Sequence, residues 1–203
     1  MGALPFPRGV VAVAGSRRLS PEASALVAQV ARELVASGCS LVVGCCVGAD
    51  SAVLSSVPGA LGAALPGRAV RVLCAFGPGG AGAGPASAVR AVLAAEASGV
   101  PVRWWAGGGL SVPLVARLAR RTRAVVAEAS AGLVLFPASP SSRGSWLAAA
   151  AAVARGLPVV VFPVGFCSAE LPALRVGRWV PVGGAGVWDS AWRWVPGQIA
   201  LPV

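Results

Sequence analysis

Apolar residues in this chain come in short runs, and between the runs lie longer segments whose apolar positions recur at helical spacing. The first run, 10–14, reads Val-Val-Ala-Val-Ala and stops at Gly15-Ser16-Arg17. Its density of β-branched side chains predicts a strand. Residues 21–37 then predict an amphipathic helix, with Ser20 as N-cap, Pro21 at the first helical position, Glu22 in the first turn and Gly38 as the stop. By the same signals, strands are expected at 40–43, 69–75, 100–105, 132–136 and 157–163. Helices are expected from about 50 to 56 and at 85–98, 112–129 and 144–155. Strand-helix alternation at this spacing predicts an α/β fold: a doubly wound, mostly parallel sheet with helices on both faces.

Residues 167–203 depart from that rhythm. They hold Trp179, Trp188, Trp192 and Trp194, with Arg175, Arg178 and Arg193 interleaved. The favoured expectation is a Trp-rich hairpin or flap around 183–186, packed on the same domain or on a dimer mate. The competing one is a base-stacking platform with phosphate-binding cations.

Composition narrows the classes. The 203 residues are enough for one core burying roughly 70% of the unfolded surface. Hydrophobic residues make up 56% and charged ones 12%, a balance that raises the question of a membrane span. The densest stretch, 146–164, is interrupted by Arg155, Gly156 and Pro158, so it lacks the ~20 uninterrupted apolar residues that a spanning helix needs. Pro5, Pro7 and Arg8 also break any signal-peptide core. A cytoplasmic protein with no membrane partner is expected.

The net charge is +10, and all 17 basic residues are arginine. Base composition of the coding sequence accounts for part of that bias; the remainder implies attraction to polyanions, since arginine grips phosphate with a planar fork. No histidine is present, which removes the commonest general base and most zinc sites. No metal site, cofactor or catalytic residue is expected. The five cysteines, Cys39, Cys45, Cys46, Cys74 and Cys167, show no paired spacing, and a disulfide framework is not expected.

In a sheet of this kind ligands bind beyond the carboxyl ends of the strands. The loops at those ends run from Gly15 to Arg17, from Gly44 to Asp50, from Gly77 to Gly84 and from Ala138 to Ser145. Gly15 permits a tight turn, Ser16 offers a hydroxyl and a backbone N–H, and Arg17 offers a fork suited to phosphate. The Gly77 to Gly84 loop is either a lid or a plain excursion. Asp50 is either the N-cap of a short helix or a hydrogen-bond acceptor for a ribose or base edge. Arg17, Arg121, Arg123 and Arg143 are expected to converge on one rim. For Arg117, Arg120 and Arg121 a solvated helix face is the competing reading, and Glu128 reads as structural.

These loops resemble the motifs of the DNA-processing A (DprA/Smf) family, within the SLOG superfamily of Rossmann-like domains. Gly15-Ser16-Arg17-Arg18-Leu19-Ser20 is similar to the family's G-[ST]-R-x-x-S. Gly44-Cys45-Cys46-Val47-Gly48-Ala49-Asp50 is similar to S-G-x-A-x-G-I-D, with Gly44, Gly48 and Asp50 in register. Arg121-Thr122-Arg123 resembles R-N-R, and Arg143-Gly144-Ser145 resembles S-G-S. The chain departs from the family at Val47, where an arginine is usual, at Thr122, where asparagine is, and in lacking the histidine that often follows the Asp motif. On this resemblance residues 1–166 form the Rossmann-like domain and 167–203 a C-terminal extension on it.

The resemblance implies non-catalytic binding of single-stranded DNA or nucleotide phosphates, of the DNA-processing or recombination-mediator type, with a recombinase as partner and assembly as a dimer or larger. The expected contacts are Gly15, Ser16, Arg17, Gly44, Gly48, Asp50, Arg121, Arg123, Arg143, Gly144 and Ser145. One alternative is a small-nucleotide sensor of the same superfamily. Another is a nucleotide phosphoribohydrolase of the Lonely Guy type, against which stands Ala148 at the place where that chemistry needs a glutamate.

Overall fold

The apolar runs become six parallel strands of one sheet, and the tail adds two antiparallel ones. The computed structural model describes residues 4–60, 69–82, 86–184 and 186–197. In chain order the elements are β1 (Val10–Gly15), α1 (Pro21–Ala36), β2 (Ser40–Val43), α2 (Ala49–Ala60), β3 (Val70–Leu73), α3 (Ala86–Ala97), β4 (Val102–Arg103), α4 (Leu114–Glu128), β5 (Gly132–Phe136), α5 (Arg143–Ala154), β6 (Val159–Val161), β7 (Gly177–Pro181) and β8 (Trp192–Pro196). Their order across the sheet is β4-β3-β2-β1-β5-β6-β8-β7.

Strand β1 lies at the centre, Val11 opposite both Leu41 of β2 and Gly132 of β5. The chain moves outward from β1 in one direction through β4, then returns to β5 and moves out in the other. A crevice opens at such a reversal, between the carboxyl ends of the two strands where it occurs.

The sheet is buried on both faces. Val11 and Val13 pack with Val27, Leu34, Val53 and Val92 of α1, α2 and α3. Ala12, Leu133 and Leu135 pack on the opposite face with Val125 and Val126 of α4 and with Ala148, Ala149 and Ala152 of α5. Small residues along α5 let it approach the strands closely, and this fixes where its N-terminus falls. At the start of α1, the Ser20 hydroxyl accepts the Ala23 N–H at 3.2 Å, the cap that the sequence predicts.

Strand β4 is shorter than its apolar run. Only Val102 and Arg103 pair with β3, because the backbone turns at Trp105, whose φ of +56° is left-handed. The Trp105 N–H donates to the Phe76 carbonyl at 3.1 Å, and its ring covers Gly77, where a Cβ would collide with it. Helix α2 continues to Ala60, beyond the expected end. The glycine-rich loop contains a short 3-10 turn at Pro78–Gly80; Ala83, Gly84 and Pro85 lie outside the described residues. Glu128 pairs with Arg71 at 3.1 Å and with Arg103 at 3.4 Å, a structural role as expected.

The tail forms the expected hairpin-like pair, and β8 joins the main sheet against β6. Its tryptophan rings are spent on packing. Trp194 and Trp179 meet edge to face at 5.2 Å, Trp179 meets Trp146 of α5 at 6.5 Å, and Trp188 lies 5.6 Å from Phe162. Trp188 also donates its indole N–H to Glu33 at 3.1 Å. With Trp188 and Trp194 buried, the base-stacking platform gives way to the packed hairpin. Among the described residues no helix is long and apolar enough to cross a membrane.

Candidate functional site

At the reversal in strand order lies a cleft of about 310 Å³, walled by β1, the turn after β2, α4 and the N-terminus of α5. Three arginines reach it from three segments: Arg17 after β1, Arg121 from α4 and Arg143 from α5. Arg17 and Arg143 are exposed, and among the described residues neither pairs with a carboxylate. Arg121 is buried, and its Nη1 donates to Asp50 Oδ2 at 3.3 Å while Nη2 donates to the Cys46 thiol at 3.0 Å. The Arg121 Nε–H is buried with no acceptor.

Asp50 is not the N-cap of α2. It sits inside the first turn, and Oδ2 also accepts the Cys46 N–H at 2.9 Å, so the carboxylate folds back and closes the turn that precedes it. Burial pushes the Asp50 carboxyl up, and Arg121, the Cys46 N–H and Arg17 pull it back. For Arg121, burial opposes the charge, but Asp50 and the two neighbouring thiols overcome it and hold the guanidinium protonated more firmly than usual.

Three glycines make this geometry possible. A Cβ on Gly44 would overlap the Arg121 guanidinium. Gly48 has a φ of +79°, and a Cβ there would run into the Ser16 carbonyl, which accepts the Ala49 N–H at 3.1 Å. A Cβ on Gly15 would fall 2.6 Å from that of Ala49 and 2.8 Å from the Phe136 carbonyl. Gly15 lines the cleft, whereas Gly44 and Gly48 shape it from behind.

Several expected contacts fall elsewhere. Ser16 does not offer its N–H, which donates to the Phe136 carbonyl at 2.8 Å, and its Oγ accepts the Arg18 N–H at 3.3 Å. Arg123 does not join the rim. Two positions along α4 from Arg121 is about 200° around the helix, and Arg123 is exposed there. Thr122 lines the cleft instead, its hydroxyl donating to the Leu118 carbonyl at 3.0 Å. Ser145 is buried beneath the start of α5, whereas Arg143 and Gly144 line the cleft. Ser142 makes no side-chain cap bond, so the first turn of α5 presents peptide N–H groups and the positive end of its dipole to the cleft.

Arg117 is neither solvated nor in the cleft. It is buried, donating Nε to the Val112 carbonyl at 3.0 Å and Nη1 to the Ala75 carbonyl at 2.8 Å, with its guanidinium 5.4 Å over Trp105. It ties the loops after β3 and β4 to α4. Arg120 is exposed, as the solvated-face reading has it.

Neither Cys46, which lines the cleft, nor its neighbour Cys45 is an activated thiol. Contact with Cys46 lowers Cys45, but contact with Cys74 and burial outweigh it and push the thiol up to about 11. Contact with Cys45, then burial, raises Cys46 still further. Cys39, Cys45 and Cys74 are buried and Cys167 is exposed. Ellman's reagent is expected to titrate Cys167 quickly in the native protein and the other four only after denaturation. A second fast thiol means that the turn at 45–46 opens in solution.

A parallel sheet reversing at β1, with helices on both faces and a cleft at the reversal, defines a Rossmann-like domain. The particular fold is that of DNA processing protein A. The structure from Helicobacter pylori, described for its single-stranded DNA binding mode, superposes with a TM-score of 0.59 at 21% identity. That match covers 78% of this chain and 66% of the other. The structure from Streptococcus pneumoniae gives 0.57 at 20% identity, covering 82% of this chain and 53% of the other. This chain thus spans between half and two thirds of the length of those proteins. No family model and no curated protein matches the sequence.

Proposed function

We propose that this protein binds single-stranded DNA non-covalently, with backbone phosphates held in the cleft at the strand-order reversal. The observation that carries the reading is the meeting there of Arg17 and Arg143, which pair with no carboxylate among the described residues, and the start of α5, which has no side-chain cap. Arg121 stands behind them as a buried positive charge fixed by Asp50. The fold shared with DNA processing protein A supports the same reading.

The lining favours binding over chemistry. Among the described residues Asp50 is the one carboxylate in the cleft wall, and its Oδ2 is committed to Arg121 and the Cys46 N–H. Ala148, fully buried at the back of the cleft, stands where a phosphoribohydrolase needs its glutamate. Delivery of the bound strand to a recombinase, by a dimer in the cytoplasm, completes the proposal. Sedimentation with and without a recombinase reads that part directly.

Fluorescence anisotropy of a labelled single strand at two salt concentrations tests the binding. Affinity is expected to fall with added salt, with log K declining by about 0.7 per unit of log salt for each phosphate neutralised. Duplex of the same length is expected to bind more weakly. Salt-independent binding, or equal binding to duplex, overturns the proposal.

A further inference from the structure

The cationic cleft has an apolar neighbour. On the far side of Arg17 and Cys46 lies a recess of about 100 Å³, walled by Val47, Phe76, Ala88, Leu114 and Leu118. Arg17, Cys46 and Leu118 belong to both hollows, so the two meet along a common wall.

The polar groups around the recess are committed within the fold. The Cys46 N–H donates to Asp50 and its thiol accepts Arg121. The Ala75 N–H donates to the Cys45 thiol, and the Ala75 carbonyl accepts Arg117. What the recess offers an occupant is apolar surface from Val47, Phe76, Leu114 and Leu118, with the Arg17 guanidinium at its mouth. An anion belongs in the first hollow and a flat apolar body in the second, and Arg17 suits both because its planar fork bonds phosphate through its edge and stacks on rings through its face.

We propose that the two hollows are the halves of one nucleotide site: a phosphate sits in the cleft, and the unpaired nucleobase attached to it enters the recess. This rests on the phosphate-binding reading above. A base in the recess has left its stack and its pairing partner, so a paired nucleotide is excluded unless the cost of extruding it is met. Because the lining leaves few groups free to read a base edge, all four bases are accepted.

The test compares a short oligothymidylate with an abasic oligomer of the same length and charge, both by anisotropy against the full chain. The intact protein is expected to bind oligothymidylate roughly tenfold or more tightly than the abasic oligomer, as a single buried base face implies. Val47→Trp and Leu114→Trp place an indole in the recess from wall positions that are not fully buried. Each is expected to bring oligothymidylate down to the affinity of the abasic oligomer. Equal affinity for the two oligomers in the intact protein overturns the base site while leaving phosphate binding standing, and it needs no variant. A tenfold difference that survives in both folded variants also overturns it. Failure of the abasic oligomer to bind, with oligothymidylate binding indifferent to Arg143→Glu, removes the phosphate reading and the base site with it.

Discussion

Asp50→Ala is expected to lower the unfolding free energy by about 3 to 5 kcal/mol, the cost of leaving one partner of a buried ion pair uncompensated. Urea denaturation followed by circular dichroism measures it. The size of the effect follows from what the carboxylate holds. Oδ2 is the charged acceptor for Arg121, which is buried, and it also takes the Cys46 N–H that closes the turn after β2. Removing it strands a guanidinium whose Nε–H already lacks an acceptor. The double variant Asp50→Leu with Arg121→Leu is expected to be far more stable than Asp50→Ala alone, because it removes both charges together. A loss below about 1 kcal/mol for Asp50→Ala, the range of surface ion pairs, means that water reaches the pair and the wall is soft.

The second large effect concerns binding without stability. Arg17→Glu and Arg143→Glu are each expected to weaken single-strand binding roughly tenfold to a hundredfold, the value of one charge-assisted hydrogen bond. Each also lowers the salt slope by about 0.7. Both side chains are exposed and free of carboxylate partners among the described residues, so for Arg143→Glu the unfolding free energy is expected to stay within about 0.5 kcal/mol, whereas Arg17→Glu loses more because it sets a like charge near the buried Asp50 carboxylate. Arg123→Glu serves as the comparison: the same change of charge, on the side of α4 turned away from the cleft. A loss for Arg123→Glu as large as for Arg143→Glu means that the strand runs over the outside of α4 and not through the cleft.

Much of this was legible from local pattern. The β-branched run at Val10 to Val13, the Ser20 cap and the glycine turns all act within a few residues, and each predicts its element. The register of Gly15, Gly44 and Gly48 located the cleft, although for two of them the reason proved to be the packing of Arg121 and the Ser16 carbonyl. What escaped the sequence depends on partners far along the chain. Arg117 reads as a solvated charge, and Arg121 as a rim arginine with a solvated helix face as the competing reading, until the spacing of 117, 121 and 125 is seen to face the sheet. Ser16 reads as a free N–H donor because nothing nearby shows that Phe136, on the neighbouring strand, takes it. The alternation that makes β8 a sheet strand lies in Trp-Arg-Trp-Val, where the bulk of tryptophan also fits a ligand platform.

The central place of β1 bears on the order in which the molecule is assembled. Val10 to Val13 pair with β2 on one side as soon as residue 43 is available, but the other edge waits for Gly132–Phe136. As the chain leaves the ribosome, the half-sheet from β4 to β1 therefore carries an open, wholly apolar edge through the synthesis of α4. An uncovered parallel edge of that kind pairs with whatever strand it meets, and closing it across so long a span is slow. Among the β1 amides, those that donate to β5 are thus expected to gain protection against hydrogen exchange during refolding in step with β5 and after α1 and the amides that donate to β2, which makes the late strand and not the first one the gate to a finished cleft.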